Sequence, residues 1–320
     1  MFFASDNAGP AHPSIAEALV HANTGYQMPY GKDTIMDQVR DRLRTIFEAP
    51  EAAIYLVATG TAANSLSLAT YCQPWQTVFC SPVAHINEDE CNSPEFYMGG
   101  AKLTLVGDSD KMTPAALRAA MGHDARIAVS AIAADLGQPT HLDGARFANA
   151  LVALGCTPAE MTWKAGVDVV SFGGTKNGCV GVEAVIFFDP AKAWEFELRR
   201  KRGAHLFSKH RYLSAQMLAY LEGGLWLDLA KRSNARMALL ADGLRKIPGT
   251  SFLHDPQANI VFANLPRAAH KRLMQAGARY YLTSGDLDGA DEDELLTARL
   301  VCDWSLPEAE ITRFLEIAAG

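Results

Sequence analysis

The sequence predicts an α/β protein: a large domain on a mostly parallel open sheet, followed by a smaller domain. Its 320 residues are enough for two domains. The run from His141 to Gly178 reads as strand end, helix and strand, which is the length of one βαβ unit. Further apolar strands, each followed by a helical segment, precede this run. We therefore expect neighbouring parallel strands whose carboxyl ends share one edge of the sheet.

The N-terminal half supplies the first elements of this fold. A helix begins at Pro13 and carries Ile15, Leu19 and Val20 on an amphipathic pattern. A strand and helix follow, joined at Gly60, in AAIYLVATGTAANSLSLAT. Two shorter strands are predicted in TVFCSPVAHINEDE and AKLTLVGD.

The C-terminal half leads into the second domain. After an apolar strand in VEAVIFFDP, a long helical bridge is predicted from Leu213 to Ile247, interrupted at Gly223-Gly224. We place the large domain at residues 1–240 and the small α+β domain at 241–320. The small domain has predicted strands in TSFLHDPQANIVFANL and TARLVCDWS, with a helix and strand in HKRLMQAGARYYL and a final helix begun at Pro307.

Composition excludes several classes of function. With 49% hydrophobic residues, 20% charged residues and a net charge of −7, the chain favours neither nucleic acid nor an anionic membrane as a partner. It has no apolar run long enough to span a bilayer and no basic, apolar leader at Met1, so we expect a cytoplasmic protein. The six cysteines are scattered without a C-x-x-C pair, which favours free thiols over disulfides or a metal centre.

Asp143 and Lys176 are the central candidates for a site. Each follows an apolar strand, and they lie 33 residues apart, so a βαβ unit would bring them to one crevice. Pyridoxal phosphate (PLP) enzymes need a lysine amine for a Schiff base and a carboxylate at the pyridine nitrogen. Either residue alone reads more simply as a surface residue, but their joint placement favours the cofactor. The glycines of GGTKNG give the backbone room near Lys176.

The turn at Gly60, Thr61 and Ala62 is a candidate phosphate seat. Its backbone N–H groups and the positive end of the helix dipole would face an anion. The alternative is plain N-capping by Thr59 or Thr61. The consecutive acids Glu88, Asp89 and Glu90 suggest a metal site at first sight, but consecutive residues do not share one face of a helix. We interpret them as charges at a helix N-terminus and predict no metal.

The chain resembles the threonine aldolase and β-eliminating lyase family of fold-type I PLP enzymes. The resemblance runs through seven motifs in family order: SDNAG, PYGKD, VATGTAANSL, AHINEDE, HLDGARFANAL, SFGGTKNG and TARLV. It implies a large domain with a mostly parallel seven-stranded sheet and a small α+β C-terminal domain. It also implies pyridoxal 5'-phosphate as cofactor, held by Lys176 and Asp143.

The same resemblance implies roles for further residues. His85 matches a histidine that stacks on the pyridine ring and can act as the catalytic base, although a strand-end histidine is also commonly structural. Arg146 and Arg299 match arginines that bind the substrate carboxylate, and Arg146 is also placed beside the cofactor. Ser5 matches a serine that helps to hold that carboxylate. Tyr30 matches a tyrosine that reaches into the site of a neighbouring subunit, which implies a homodimer or homotetramer.

The activity implied is that of a low-specificity L-threonine aldolase, a lyase that cleaves L-β-hydroxy-α-amino acids to glycine and an aldehyde. Threonine, allo-threonine and phenylserine are the expected substrates, and neither the preferred side chain nor the threo/erythro preference can be read from the sequence. A β-eliminating lyase or a racemase on the same scaffold is the alternative. A non-catalytic family member is a further alternative if a central strand is missing.

The sequence departs from the family near residues 121–128. There MGHDARIAVSAIAADLGQP runs straight into the helix before HLDGARF, so roughly twenty to thirty residues, about one strand with its connections, are absent. Either the protein has lost that strand, or the printed sequence passes over a disordered segment. We favour the second explanation, because removing an interior strand would leave a hole in a core that is buried on both faces. No residue can then be assigned to a second histidine that would compete with His85 as the base.

Overall fold

The structure of this chain is a computed structural model, and it describes residues 1–121, 133 and 136–320. The predicted departure near 121–128 therefore falls, beyond Met121, outside the described residues. No helix in the described part of the chain is both long and apolar enough to cross a membrane.

The described residues form ten strands. These are β1 (Ala53–Val57), β2 (Thr77–Cys80), β3 (Lys102–Leu105), β4 (His141–Gly144), β5 (Val169–Gly173), β6 (Glu183–Phe187), β7 (Ser251–Phe252), β8 (Ile260–Pro266), β9 (Tyr281–Ser284) and β10 (Leu295–Val301).

They also form thirteen α-helices. The first seven are α1 (Pro13–Ala22), α2 (Thr34–Ile46), α3 (Gly60–Tyr71), α4 (His85–Glu88), α5 (Ser93–Tyr97), α6 (Pro114–Met121) and α7 (Phe147–Leu154). The others are α8 (Pro158–Met161), α9 (Ala193–Arg202), α10 (Arg211–Leu221), α11 (Leu225–Leu244), α12 (Arg267–Gln275) and α13 (Glu308–Ala319).

The strands before β7 form two separate sheets in the described residues. The larger sheet has the order β1-β6-β5-β4, in which β4 and β5 are parallel while β6 is antiparallel to both β1 and β5. The smaller sheet is the parallel pair β2-β3. The two sheets contain six strands in the described residues, against the seven of one sheet expected from the family resemblance, and no described strand connects them.

The core of the large domain lies on both faces of β5 and β6, whose ten residues are all buried. On one face Phe172 is in ring contact with Phe47, Phe147 and Trp226, with centroids 5.4 to 5.7 Å apart. On the other face α3 and α9 pack through side chains such as Phe196. Each fully buried phenylalanine contributes about 1.5–3 kcal/mol, so the strand that leads to Lys176 is held firmly.

The small domain is an antiparallel sheet of order β7-β8-β10-β9, covered by α12 and α13. Its core includes Phe3, whose ring lies 4.7 Å from that of Phe314, so the chain's first residues belong to this cluster. The predicted helical bridge is α10 and α11. The predicted interruption is confirmed by left-handed φ values of 59° at Gly223 and 77° at Gly224.

Two side chains differ in exposure from what their sequence pattern suggests. Val20 is 72% exposed although the amphipathic pattern of α1 includes it, and the buried residues of α1 are Ile15 and Ala22. The basic residues at the end of α9 are not all exposed. Arg200 is 4% exposed, its guanidinium lies 4.8 Å from the ring centre of Tyr55, and it donates a hydrogen bond to the Leu56 carbonyl.

Candidate active site

Lys176 lies in a short 3-10 turn, Thr175–Asn177, directly after β5. The Asn177 amide fixes this turn by donating to the Tyr220 hydroxyl at 2.7 Å and to the Trp226 carbonyl at 2.8 Å. Gly173 permits a close approach of the turn after β4, since a Cβ there would lie 2.5 Å from the Ala145 carbonyl oxygen. The room that the glycines were predicted to provide is therefore used by backbone.

The surroundings of Lys176 lower the pKa of its amine. Burial is the main cause, and the charge of Arg146 adds to it, while Asp6, Asp143 and Glu183 act in the opposite direction. A lowered pKa raises the fraction of neutral amine, which is the form that reacts with an aldehyde.

Asp143 lies on the same sheet edge as Lys176, as the spacing predicted. In the parallel pair β4-β5, Asp143 faces Ser171 and Gly144 faces Phe172. One carboxylate oxygen of Asp143 accepts the Ala145 N–H at 3.0 Å, and the other accepts the Asn64 amide at 2.9 Å. Asp143 is therefore an exposed carboxylate whose orientation is fixed by hydrogen bonds from its own turn and from α3.

The N-terminus of α3 holds both features that the sequence offered as alternatives. Thr59 is the N-cap, and its hydroxyl accepts the Ala62 N–H at 3.2 Å. Gly60 and Thr61 are in the first turn, where backbone N–H groups have no acceptor within the helix. Two of the three predicted N–H groups thus remain for an anion, and the third already has a partner.

His85 is the first residue of α4, and Glu90 beside it is not where the sequence analysis predicted. Its Nδ1 lies 2.8 Å from the Glu90 carboxylate, which raises the pKa of the imidazole. Glu90 was predicted to be a surface charge at a helix N-terminus, and this is wrong. It follows α4 in the turn before α5, its side chain is fully buried, and it also accepts the Asn64 amide at 2.9 Å.

Burial, and after it the charge of the nearby Arg146, lowers the pKa of Arg299, so the two guanidinium groups are close enough to interact. Arg146 also has a partner that the sequence did not reveal. Asp6 is buried and binds Arg146 through two hydrogen bonds, from Nε at 2.6 Å and from Nη2 at 2.9 Å. Arg299 donates a 3.4 Å hydrogen bond to the Ala4 carbonyl. Ser5 lies between Ala4 and Asp6 in the sequence, and its hydroxyl accepts the Asn7 N–H at 3.1 Å.

Tyr30 does not join this group in the described contacts of a single chain. It is 43% exposed with a left-handed φ of 60°, its N–H donates to the Ser208 carbonyl, and Lys201 lies 4.6 Å from its ring centre. The segment that contains it also exposes Tyr26 and Met28.

Four site residues were missed by the sequence reasoning: Asp6, Asn64, Glu90 and Glu183. Glu183 begins β6, accepts the Gly174 N–H at 3.0 Å and interacts with Lys176. Its burial raises the pKa of its carboxyl to about 7. The available signal was a charged residue inside an apolar strand, VEAVIFF, which is unusual unless the charge has a partner.

The same residues define which groups this site can hold. Atoms of His85, Glu90 and Asp143 lie within 4.8 Å of one another, which would permit a metal ion, but all three are already joined by hydrogen bonds to each other or to Asn64. An amine of lowered pKa, a strand-end carboxylate and free N–H groups at a helix start instead match the aldehyde, ring nitrogen and phosphate of PLP. A surface hollow of about 460 Å³ between α1 and α11 contains none of the predicted site residues.

Comparison with known proteins gives a consistent result. The family model described as β-eliminating lyase matches residues 3–128 and 124–267. Two curated low-specificity L-threonine aldolases are similar over nearly their whole length. The one from Pseudomonas sp. (strain NCIMB 10558) is 38% identical over 97% of this chain and 94% of its own. The one from Pseudomonas aeruginosa is 37% identical over 99% of this chain and 95% of its own.

Solved structures agree on the fold. The Leishmania major threonine aldolase has a TM-score of 0.90 at 22% identity, over 99% of this chain and 98% of its own. A structure of SPT with PLP has a TM-score of 0.70 at 16% identity, over 100% of this chain and 86% of its own. At these identities the likeness concerns the fold alone, which is that of fold-type I PLP enzymes.

The comparisons also bear on the predicted departure from the family. The family match divides into two stretches that overlap at residues 124–128. The alignment with the first Pseudomonas relative runs over 336 residues although only 97% of this 320-residue chain takes part. The relative therefore has residues that this chain lacks.

Proposed function

The chain belongs to the β-eliminating lyase family, and from this premise we propose that it is a PLP-dependent L-threonine aldolase of low specificity. It cleaves L-β-hydroxy-α-amino acids to glycine and an aldehyde. The observation that carries the proposal is the common sheet edge of Lys176 and Asp143, on parallel strands, beside Arg146 and Arg299.

The cofactor proposal is supported by the donor set. Lys176 supplies the amine that bonds to the PLP aldehyde, Asp143 supplies the carboxylate for the ring nitrogen, and Gly60 and Thr61 supply N–H groups for the phosphate. Bound PLP supplies an electron sink for the electron pair left on Cα. Glu183 places a second carboxylate close to Lys176, which favours the charged amine and so limits how far its pKa falls.

The substrate carboxylate is expected to bind between Arg146 and Arg299. Asp6 already occupies Nε and Nη2 of Arg146, so this guanidinium is held in one orientation before substrate arrives. Arg299 donates to the carbonyl of Ala4, the residue before Ser5, so it contacts the same N-terminal segment that carries Ser5 and Asp6. Fixing the plane of the carboxylate fixes the direction of the Cα–Cβ bond, which is the bond to be broken.

His85 is the proposed base. As the Cα–Cβ bond breaks, its electron pair stays on Cα, and the O–H electron pair of the β-hydroxyl forms the aldehyde carbonyl. The released proton goes to the imidazole nitrogen that does not face Glu90, directly or through water. The pKa of His85 is raised by its hydrogen bond to Glu90, which makes the neutral ring a stronger base.

Broad substrate use is expected because a hydrophobic pocket distinguishes side chains by only about 1–3 kcal/mol per methylene. Threonine, allo-threonine and phenylserine are therefore all proposed substrates. An assay with each as sole substrate would give the order of preference.

A homodimer or a homotetramer built from two dimers is the proposed assembly. Tyr26, Met28 and Tyr30 are exposed large side chains on one segment, beside the exposed Phe207, and such a patch is typical of an interface. A cytoplasmic location is proposed because all six cysteines are free. Sedimentation of an active monomer would contradict the assembly.

The test is an absorption spectrum with added PLP, before and after borohydride, followed by an assay for glycine from threonine and phenylserine. We expect a band near the visible edge that borohydride fixes onto Lys176, together with glycine. Lys176→Ala is expected to lose the band and at least 1000-fold in activity, on the order of what a covalent catalyst contributes, with an unchanged circular dichroism spectrum.

The alternatives give different products. Pyruvate or another keto acid would indicate a β-eliminating lyase, and conversion of L-threonine to D-allo-threonine without release of glycine would indicate a racemase. Absence of any band would indicate a non-catalytic member of the family.

A further inference from the structure

Glu90 is a buried carboxylate that the mechanism above does not use directly. Its side chain has no solvent exposure, and one oxygen, Oε1, accepts two hydrogen bonds, from His85 Nδ1 at 2.8 Å and from the Asn64 amide at 2.9 Å. The other oxygen, Oε2, lies 3.5 Å from the Ser65 hydroxyl. A buried carboxylate is costly unless such partners compensate it, so its presence here requires an explanation.

The backbone after Glu90 is also costly. Cys91 and Asn92 both adopt left-handed conformations, with φ of 50° and 58°, and such residues cost about 1 kcal/mol each for a residue that is not glycine. These two residues reverse the chain between α4 and α5. The strained turn places the Glu90 side chain against α3 rather than in solvent.

Asn64 connects Glu90 to Asp143. Its single amide nitrogen donates to Glu90 at 2.9 Å and to Asp143 at 2.9 Å, using both of its hydrogens. The orientation of the amide is determined by these partners, since a flipped Asn64 would direct its oxygen at two carboxylates. The carboxylate that faces the histidine and the one at the end of β4 are thus joined through one side chain.

We propose that Glu90 and Asn64 are positioning residues for the reaction. Glu90 accepts the Nδ1–H of His85, so that Nε2 is free to take the substrate proton. Asn64 holds the Glu90 and Asp143 carboxylates in fixed positions relative to each other. The proposal rests on the proposed aldolase function. In this role Glu90 orients the histidine ring and favours one of its tautomers, as the carboxylate of a catalytic triad does. Asn64 connects Glu90 to Asp143, the second carboxylate of the site.

The charged groups around His85 determine its expected pH behaviour. Glu90 and Asp143 favour the protonated ring, and Lys176 disfavours it. His141, on the same strand as Asp143, interacts with Glu90 and Asp143 and donates to or accepts from the Ser171 hydroxyl at 2.9 Å. Of these, only Glu90 is hydrogen-bonded to the His85 ring within the described residues.

Glu90→Gln tests the role of the charge, with Glu95→Gln on α5 as a matched control. We expect the acidic limb of kcat/KM against pH to move to lower pH in Glu90→Gln, because the ring loses its negative partner. The plateau is expected to fall by at least about tenfold, since a correctly placed base contributes about 10²–10⁴-fold. A role confined to folding would lower the whole profile without moving the limb, and that result would overturn the proposal.

A second measurement on Glu90→Gln does not depend on turnover. At histidine, diethylpyrocarbonate reacts only with the neutral imidazole, and peptide mapping reports its rate at each histidine. The midpoint of the rate at His85 is expected to shift to lower pH in Glu90→Gln and to stay unchanged in Glu95→Gln. An unchanged midpoint in both variants would overturn the proposal, even if the activity had fallen.

Asn64→Ala tests the connection, and Asn149→Ala is its control. Both asparagines are 2% exposed, and each donates two hydrogen bonds from its amide nitrogen, Asn149 to Ser233 and Asn234. We expect PLP to bind about tenfold more weakly to Asn64→Ala, because Asp143 loses one of its two donors, and within twofold of the wild-type value in Asn149→Ala. Equal affinities in both variants would contradict the role of Asn64.

These outcomes separate the proposal from the proposed function. If the wild-type protein releases no glycine but the His85 midpoint shifts in Glu90→Gln, the function fails and the pairing of Glu90 with His85 stands. If glycine is released and neither the limb nor the midpoint moves, the function stands and this inference fails.

Discussion

Glu183→Gln is expected to stabilise the protein at alkaline pH. Glu183 begins β6, opposite Gly173 of β5, and is 7% exposed. Burial raises the pKa of its carboxyl from 4.5 to about 7, against the hydrogen bonds from Thr175 and Gly174 and the charge of Lys176, which act to lower it. Glutamine has nearly the same shape, and its amide oxygen can still accept the Gly174 N–H.

The magnitude follows from proton binding. Between pH 4.5 and about 7 the folded protein keeps a proton on Glu183 that the unfolded chain has lost, so stability falls as pH rises through this window. The shift from 4.5 to about 7 corresponds to about 3 kcal/mol in the free energy of unfolding. This cost is absent below the window and complete above it. Relative to wild type, Glu183→Gln is expected to gain about this amount between about pH 4 and 9.

The assay is urea unfolding of both proteins from pH 4 to 9, at fixed protein concentration because an oligomer's stability depends on it. Glu160→Gln is the control of opposite sign. Glu160 is exposed, and its hydrogen bonds with Thr157 lower the pKa of its carboxyl, so its contribution is present above the unfolded pKa and lost as pH falls. The reasoning would be refuted if the difference in unfolding free energy between Glu183→Gln and wild type changed by less than about 1 kcal/mol from pH 4 to 9.

Three further substitutions have defined outcomes. Gly173→Ala is expected to cost at least about 1–3 kcal/mol and to reduce activity, because the new Cβ would meet backbone that cannot move aside; a melting temperature equal to wild type would contradict this. Arg267→Met is expected to lower the free energy of unfolding by about 3 kcal/mol, because this 2% exposed guanidinium binds backbone carbonyls and the Glu294 carboxylate of the acidic 286–294 loop. Arg245→Met, which removes an exposed ion pair, is expected to lower it by less than about 1 kcal/mol. Burial lowers the pKa of His270, so wild type is expected to lose stability as pH falls below 6.5, and His270→Gln is expected to lose less between pH 7 and 5. Curves of unfolding free energy against pH that run parallel for the two proteins would contradict this prediction.

Elements with a strong local signal were predictable from sequence. The paired glycines that interrupt the helical bridge mark a place where two residues adopt left-handed backbone, and both do. The final helix spans Glu308–Ala319, directly after the proline that was predicted to begin it. The placement of Asp143 and Lys176 at one edge followed from a strand, helix and strand of ordinary length, because such a connection makes the strands parallel.

The partners of the site residues were not predictable in the same way. Asp6 and Arg146 lie 140 residues apart, and Asn64 and Asp143 lie 79 apart, so no local pattern links them. Propensity places acids at the surface, and this is why Glu90 was taken for a helix-end charge although it is buried. The acidic loop before β10 has the composition of a surface loop, yet Arg267 donates hydrogen bonds to its backbone carbonyls at Asp286 and Asp291, a contact that composition does not indicate.

The buried acids of the site differ in where their partners come from. Asp6 and Glu90 are matched by side chains of the fold, Arg146 and His85, whose positions are therefore set before any ligand binds. Groups already in place need no reorganisation during the reaction, and this is where most of an enzyme's electrostatic stabilisation arises. Glu183 has one backbone donor, Gly174, and a side-chain hydrogen bond with Thr175, but no ion-pair partner within 4 Å in the described residues. Its charge therefore costs stability that a surface acid would not. Retaining such a buried acid beside Lys176, the lysine proposed to hold the cofactor, is the pattern expected where stability has been exchanged for function.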